Sequence, residues 1–131
     1  MFKKGGANEK NRLELVLLQE IHSAELDLPL KEWQPSPQEE IYLVVDMFIG
    51  TNDVKKGGNY FYALVVTPGA INKLQHIPKE KRKLIVMEHY SYELLLSKIE
   101  FILEKCSKDN WDDSCQALQN YFYWEFEHYK S

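Results

Sequence analysis

The run EIYLVVDMFIG, residues 40–50, followed after a glycine-bearing loop by NYFYALVVTPG, residues 59–69, restricts the fold more than any other part of the chain. In the first run Ile41, Leu43, Val45, Met47 and Ile49 share one face, and Tyr42, Val44, Asp46 and Phe48 share the other. That is the period of two that a strand requires. The second run is dense in β-branched and aromatic residues. Two such runs joined by TNDVKKGG predict an antiparallel hairpin. Thr67-Pro68-Gly69 ends the second strand, because proline has no amide to donate to a central ladder.

The remaining elements fall around this hairpin. In RLELVLLQEIHS, residues 12–23, Leu13, Leu15, Leu17, Gln19 and Ile21 point one way at period two. A strand is predicted there, although the leucine content also suits a helix. Prolines in DLPLKEWQPSPQ, residues 27–38, remove amides and restrict their neighbours, so this is an extended connection anchored by Trp33. Residues 70–76 suit a short helix, KEKRK at 79–83 is a solvated charge run, and LIVMEHY at 84–90 is another strand. Ser91 can cap a helix that runs to Cys106, with Leu95, Ile99, Ile102, Leu103 and Cys106 on one side. Leu94 and Phe101 form a second stripe beside Lys98 and Lys105. Asp112 or Asp113 then caps a final helix reaching to about Tyr129. Strands first and helices later imply an α+β fold: an antiparallel sheet of about four strands with two C-terminal helices packed on one face. Polar, glycine-containing residues 1–11 form a flexible N-terminus, and 12–131 form a single domain.

Totals narrow the function. A chain of 131 residues can bury a core without metal or disulfide staples. Its net charge of −4 argues against a nucleic-acid partner, which needs a basic footprint, and suits a basic protein. No apolar run follows the two lysines of MFKKGGANEKNR, and no segment reaches transmembrane length, so a cytoplasmic protein without membrane contact is expected. Cys106 and Cys115 then read as free thiols on helices. No metal-ligand spacing and no cofactor motif is present. The loop GTNDVKKGG lacks the order of a phosphate loop, and a strand follows it where a helix N-terminus is needed.

The tail CQALQNYFYWEFEHYK, residues 115–130, poses the sharpest question. On a helical wheel of about 100° per residue, Trp111, Cys115, Leu118, Phe122, Phe126 and Tyr129 gather on one side. Tyr123 and Glu127 fall opposite. Glu125 lands inside the apolar face, where a carboxylate must find a partner or take up a proton. It is either an acid/base group or a structural carboxylate holding the helix to a tyrosine hydroxyl, a backbone amide or a lysine. The histidines, His22, His76, His89 and His128, are scattered without motif context, and Glu125 and Glu127 lie too far apart around the helix to share a proton or a metal. What remains is surface. Asp109, Asp112 and Asp113 crowd the start of the last helix, and Tyr123 and Glu127 lie farther along it. Such a patch is either a merely solvated face or one that docks a basic protein, with aromatics as anchors and charge steering the encounter.

Several landmarks then form a pattern: Trp33 and Pro35 in a W-x-P connection, Ile49-Gly50 ending one strand, Thr67-Pro68 ending the next, Trp111, and the triplet Trp124-Glu125-Phe126. In this order and spacing, over about residues 12–130, the chain resembles the immunity protein 8 family of bacterial polymorphic toxin systems. It departs from the family pattern at Val66 and at Gly69-Ala70, where a cysteine and a bulky aromatic are usual. The resemblance implies a non-catalytic α+β protein that binds and neutralises the effector domain of a cognate toxin. A nuclease-type effector, often basic, would suit the acidic balance here. The candidate contacts are Asp109, Asp112, Asp113, Tyr123 and Glu127, with Asn52, Asp53 and Lys55 of the hairpin loop. The alternatives are a small cytoplasmic enzyme using Glu125 with a tyrosine or histidine, and an adaptor that assembles through the Leu94/Phe101 stripe.

Overall fold

The computed structural model describes residues 15–52 and 57–126. Its frame is the expected hairpin: β2 (Tyr42–Thr51) pairs antiparallel with β3 (Gly58–Val66) from Tyr42↔Val66 to Gly50↔Gly58. Ile41, Leu43, Val45, Met47 and Ile49 are all buried on one face, as their alternation requires. The turn depends on glycine twice. Gly57 has φ of 68°, which favours a residue without Cβ. A Cβ on Gly50 would sit 2.5 Å from the Gly57 carbonyl oxygen, so Ile49-Gly50 marks where the two backbones close. At the other end, the Ile41 amide donates to Thr67 Oγ1 (2.8 Å) and the Thr67 amide to the Ile41 carbonyl (3.0 Å). Thr67 thus finishes the ladder immediately before Pro68 stops it.

β1 (Val16–His22) pairs antiparallel with β2 as an edge strand. Its facing corrects the sequence expectation. Val16 and Leu18, not Leu15 and Leu17, face the core, and Leu15 and Leu17 are exposed. Between Leu18 and Glu20 the register slips, leaving Gln19 as an extra residue, so Ile21 returns to the core side. A bulge of one residue inverts the alternation beyond it. Period-two counting through it therefore yields the wrong phase.

β3 carries two short strands on its other edge. β4 (Leu84–Val86) runs parallel to Leu64–Val66. β5 (Tyr123–Trp124) runs antiparallel to Phe61-Tyr62. The sheet order is β1-β2-β3-β4, with β5 sharing the β3 edge. The two helices, α1 (Tyr92–Cys106) and α2 (Trp111–Leu118), lie between β4 and β5 in the chain. Leu95, Ile99, Leu103, Cys106, Cys115 and Leu118 pack with the inward residues of β2 and β3, and Trp33 packs on this core against Tyr90 (ring centroids 4.9 Å). Both cysteines are buried free thiols, and burial pushes each above its ordinary range. The fold is α+β, with β4 as a parallel addition to an otherwise antiparallel sheet.

The final helix is shorter than its wheel suggests. Asn110, rather than Asp112 or Asp113, is the cap: its Oδ1 accepts from the Asp113 amide (2.8 Å). The helix ends at Leu118, and the chain turns into β5. The aromatic run adopts a strand because β4 reaches only Leu64–Val66 and leaves Phe61-Tyr62 unpaired. Tyrosine, phenylalanine and tryptophan suit a pleated, half-buried edge. In that conformation Phe122 and Trp124 join the helix-side core while Tyr123 goes through to the opposite face.

That opposite face has a core of its own, made by Leu64, Val66, Leu74, Ile77 and Tyr123. The 3-10 segment Pro68–Leu74 lies over it and buries Ala70 and Leu74. Gly69 leaves room for the Glu40 carboxylate, which a Cβ there would meet at 2.6 Å. Within the charge run 79–83, Arg82 is not a solvated residue. Its Nε donates to the Ile77 carbonyl and its Nη2 to the Leu74 carbonyl, each at 2.8 Å, tying down the end of the 3-10 segment.

Candidate functional site

Three segments converge at the end of the sheet where the β2–β3 turn lies. Val16 opens β1 opposite Thr51, so Asn52 follows one step away and is exposed. The Val16 amide donates to Ser107 Oγ (3.1 Å), and Ser107 Oγ donates to the Leu103 carbonyl (3.0 Å). This joins the start of β1 to the end of α1. Lys108 follows, its amide held by buried Ser114 Oγ at 2.8 Å. The exposed Asp109 and the first turn of α2, with Asp112 and Asp113, come next. Two acids at a helix N-terminus complement its positive end. Asp113 also accepts from Asn110 Nδ2 (3.1 Å). Beside them runs a groove of about 400 Å³ between β1 and α1, lined by exposed Leu15 and Leu17 and by Glu100 and Glu104.

The structure therefore brings Asp109, Asp112, Asp113 and Asn52 to one end of the molecule. Asp53, Lys55 and Glu127 lie outside the described residues. Tyr123 is corrected: it is 1% exposed and cannot reach a partner. Its hydroxyl donates to the Lys81 carbonyl (2.6 Å) and accepts from the Lys83 amide (3.1 Å). Its ring stacks on Tyr62 at 4.9 Å, with Lys83 Nζ 5.2 Å away. The wheel placed it outside because it assumed a helix; a strand sends it to the second core.

Other aromatics take the exposed role. Phe126 is 64% exposed and meets Trp124 edge-on at 4.7 Å. Tyr60 is 42% exposed and packs on Phe48 across the hairpin at 4.8 Å. Tyr60 is next to Asn59, which pairs with Ile49 near the same turn. The sequence reading missed both, and it missed Glu100 and Glu104. The period-two alternation of Phe122, Trp124 and Phe126 suits an extended tail as well as the helical wheel suits a helix.

Glu125 is exposed, not buried in an apolar face. Its Oε1 accepts from the Tyr60 amide (3.0 Å) and Asn59 Nδ2 (3.2 Å), and its amide donates to the Tyr60 carbonyl (3.0 Å). It fastens β5 to the start of β3 through a backbone amide, one of the structural roles expected for it. Both of these donors to its carboxylate are amide groups. His22 instead sits 3.8 Å from Asp46, whose carboxyl is raised by burial and partly brought back by that histidine, with Glu25 adding to the rise.

Among the described residues, no group of His, Cys, Asp and Glu is arranged to hold a metal ion. No helix among them is long and apolar enough to cross a membrane. No curated protein and no solved structure matches the chain. The family model for Immunity protein 8 matches residues 16–129, a span that includes the hairpin, both helices and the tail strand. The chain belongs to the Immunity protein 8 family.

Proposed function

We propose that this protein neutralises the effector domain of a cognate bacterial toxin by binding it stoichiometrically, without catalysis, inside the cell that makes both. The observation that carries this reading is the family match across residues 16–129. The exposed groups at the acidic end of the sheet support this reading. Asp109, Asp112, Asp113, Glu100 and Glu104 present negative charge, and the exposed Leu15 and Leu17 line the groove beside Glu100 and Glu104. Interfaces commonly combine aromatic anchors with charge that steers the encounter. A basic, nuclease-type effector fits that surface, and covering its substrate groove would silence it.

The test is co-expression. The effector domain encoded beside this chain is induced in a sensitive bacterium with and without the protein. Survival only with the protein, together with a one-to-one complex on size-exclusion chromatography, is the expected result. Death in both cases, or rescue at far below equimolar protein, contradicts stoichiometric neutralisation.

A further inference from the structure

The flanks of α1 carry opposite charge. Toward β1 it presents Glu100 and Glu104; toward β4 it presents Lys98. The β4 flank holds a groove of about 440 Å³, lined by Leu84–Val86 and by Ser97, Lys98, Phe101 and Ile102. No carboxylate is among these residues. Val86 is 43% exposed and Phe101 62%. Lys105 Nζ lies 5.3 Å from the Phe101 ring and 5.2 Å from the Tyr121 ring, and Lys98 is the cation that lines the groove itself.

β4 is the end of the sheet path, and among the described residues no strand pairs with its outer edge. Which backbone groups face outward follows from the ladder. Lys83 gives its carbonyl to Leu64 (3.3 Å) and Met87 its amide to Val66 (2.9 Å), so residues 83, 85 and 87 face β3. Backbone groups alternate sides along a strand, so the amides and carbonyls of Leu84 and Val86 face away from the sheet. An open edge above an apolar groove accepts an added strand, with main-chain bonds for affinity and side-chain pockets for specificity.

We propose that this groove takes an extended segment of the toxin's effector domain, which adds as a strand to β4, seats apolar side chains on Phe101 and Ile102, and places an Asp or Glu against Lys98. The proposal rests on the neutralisation reading and names a contact distinct from the acidic end. The charge selects the occupant. A second copy presenting this same groove adds another Lys98 and no carboxylate, whereas a segment bearing a carboxylate meets Lys98 favourably.

The experiment uses the full chain and the catalytically silenced effector domain encoded beside it. Hydrogen exchange is followed at the Leu84 and Val86 amides, and binding is compared for wild type, Val86→Pro and Lys98→Glu. Val86→Pro removes one outward amide while sparing the bonds to β3. Lys98→Glu changes a helix side chain and tests charge in a variant that keeps the strand. Protection of both amides only in the complex, with binding weakened about tenfold or more by each variant, is the expected result. Effector binding without protection at β4 and unchanged by either variant overturns the groove and leaves neutralisation standing. Absence of effector binding to wild type overturns both. Protection that appears without effector and grows with protein concentration assigns the edge to self-association and overturns the proposal.

Discussion

Replacing Tyr123 with phenylalanine separates a structural tyrosine from a contact tyrosine. The ring remains against Tyr62, so packing is conserved and only the hydroxyl is lost. That hydroxyl makes two hydrogen bonds, to the Lys81 carbonyl and from the Lys83 amide, both partly buried. A net bond contributes about 1 kcal/mol, and the two backbone groups recover part of their loss from water, so a cost of about 1.5 kcal/mol is expected. At about 2.1 cal/mol/K of unfolding entropy per residue, that amounts to a fall of about 5 °C in Tm for a domain of this size. Calorimetry and urea titration measure it, and effector binding at a temperature well below Tm should match wild type. Unchanged stability with weakened effector binding would refute the reasoning, because it would mean that the hydroxyl serves a partner and not the segment leading into β4.

Two further outcomes follow from groups the charge pattern alone does not reveal. Arg82→Ala should cost about 2 kcal/mol by releasing the Leu74 and Ile77 carbonyls, with Arg82→Lys recovering only part, since lysine cannot reproduce the fork; denaturant midpoints check both. Tyr90, pushed up to about 12 by burial, with Tyr92 and Glu93 adding, should ionise well above an ordinary tyrosine in an ultraviolet titration. Between its ordinary value of 10.0 and about 12 the unfolded chain gives up that proton while the folded chain keeps it, so stability should fall as pH rises through the window. Tyr90→Phe should remove the late ionisation and flatten that part of the fall.

The hairpin was legible because Ile41 through Ile49 alternate without interruption and both faces are used. α1 was legible for a similar reason: Ser91 caps it through the Leu94 amide (3.0 Å), and its apolar side repeats at helical spacing. Two places misled, both through changes of period. Gln19 adds one residue to β1 and inverts the phase, a event set by pairing with β2 and not by local composition. The tail satisfies a helical wheel and a strand equally well, and the unpaired Phe61-Tyr62 edge decides between them. That decision lies in tertiary structure, and it moved Tyr123 inward and left Phe126 at the surface. Of the candidate contacts, the aspartates were readable because helix starts attract acids; the β1–α1 glutamates were not, because only the fold brings Glu100 and Glu104 beside Leu15 and Leu17.

The most direct measurement is the association rate of the purified chain with its effector domain across ionic strength, for wild type and for a variant with Glu104, Asp109 and Asp112 changed to lysine. Asp113 is left in place because it is bound to the α2 cap. If the acidic end docks a basic effector, the variant should associate about tenfold or more slowly at low salt, and the gap should close as salt screens the charges. Equal rates for both proteins at every salt concentration would contradict docking through this end of the molecule.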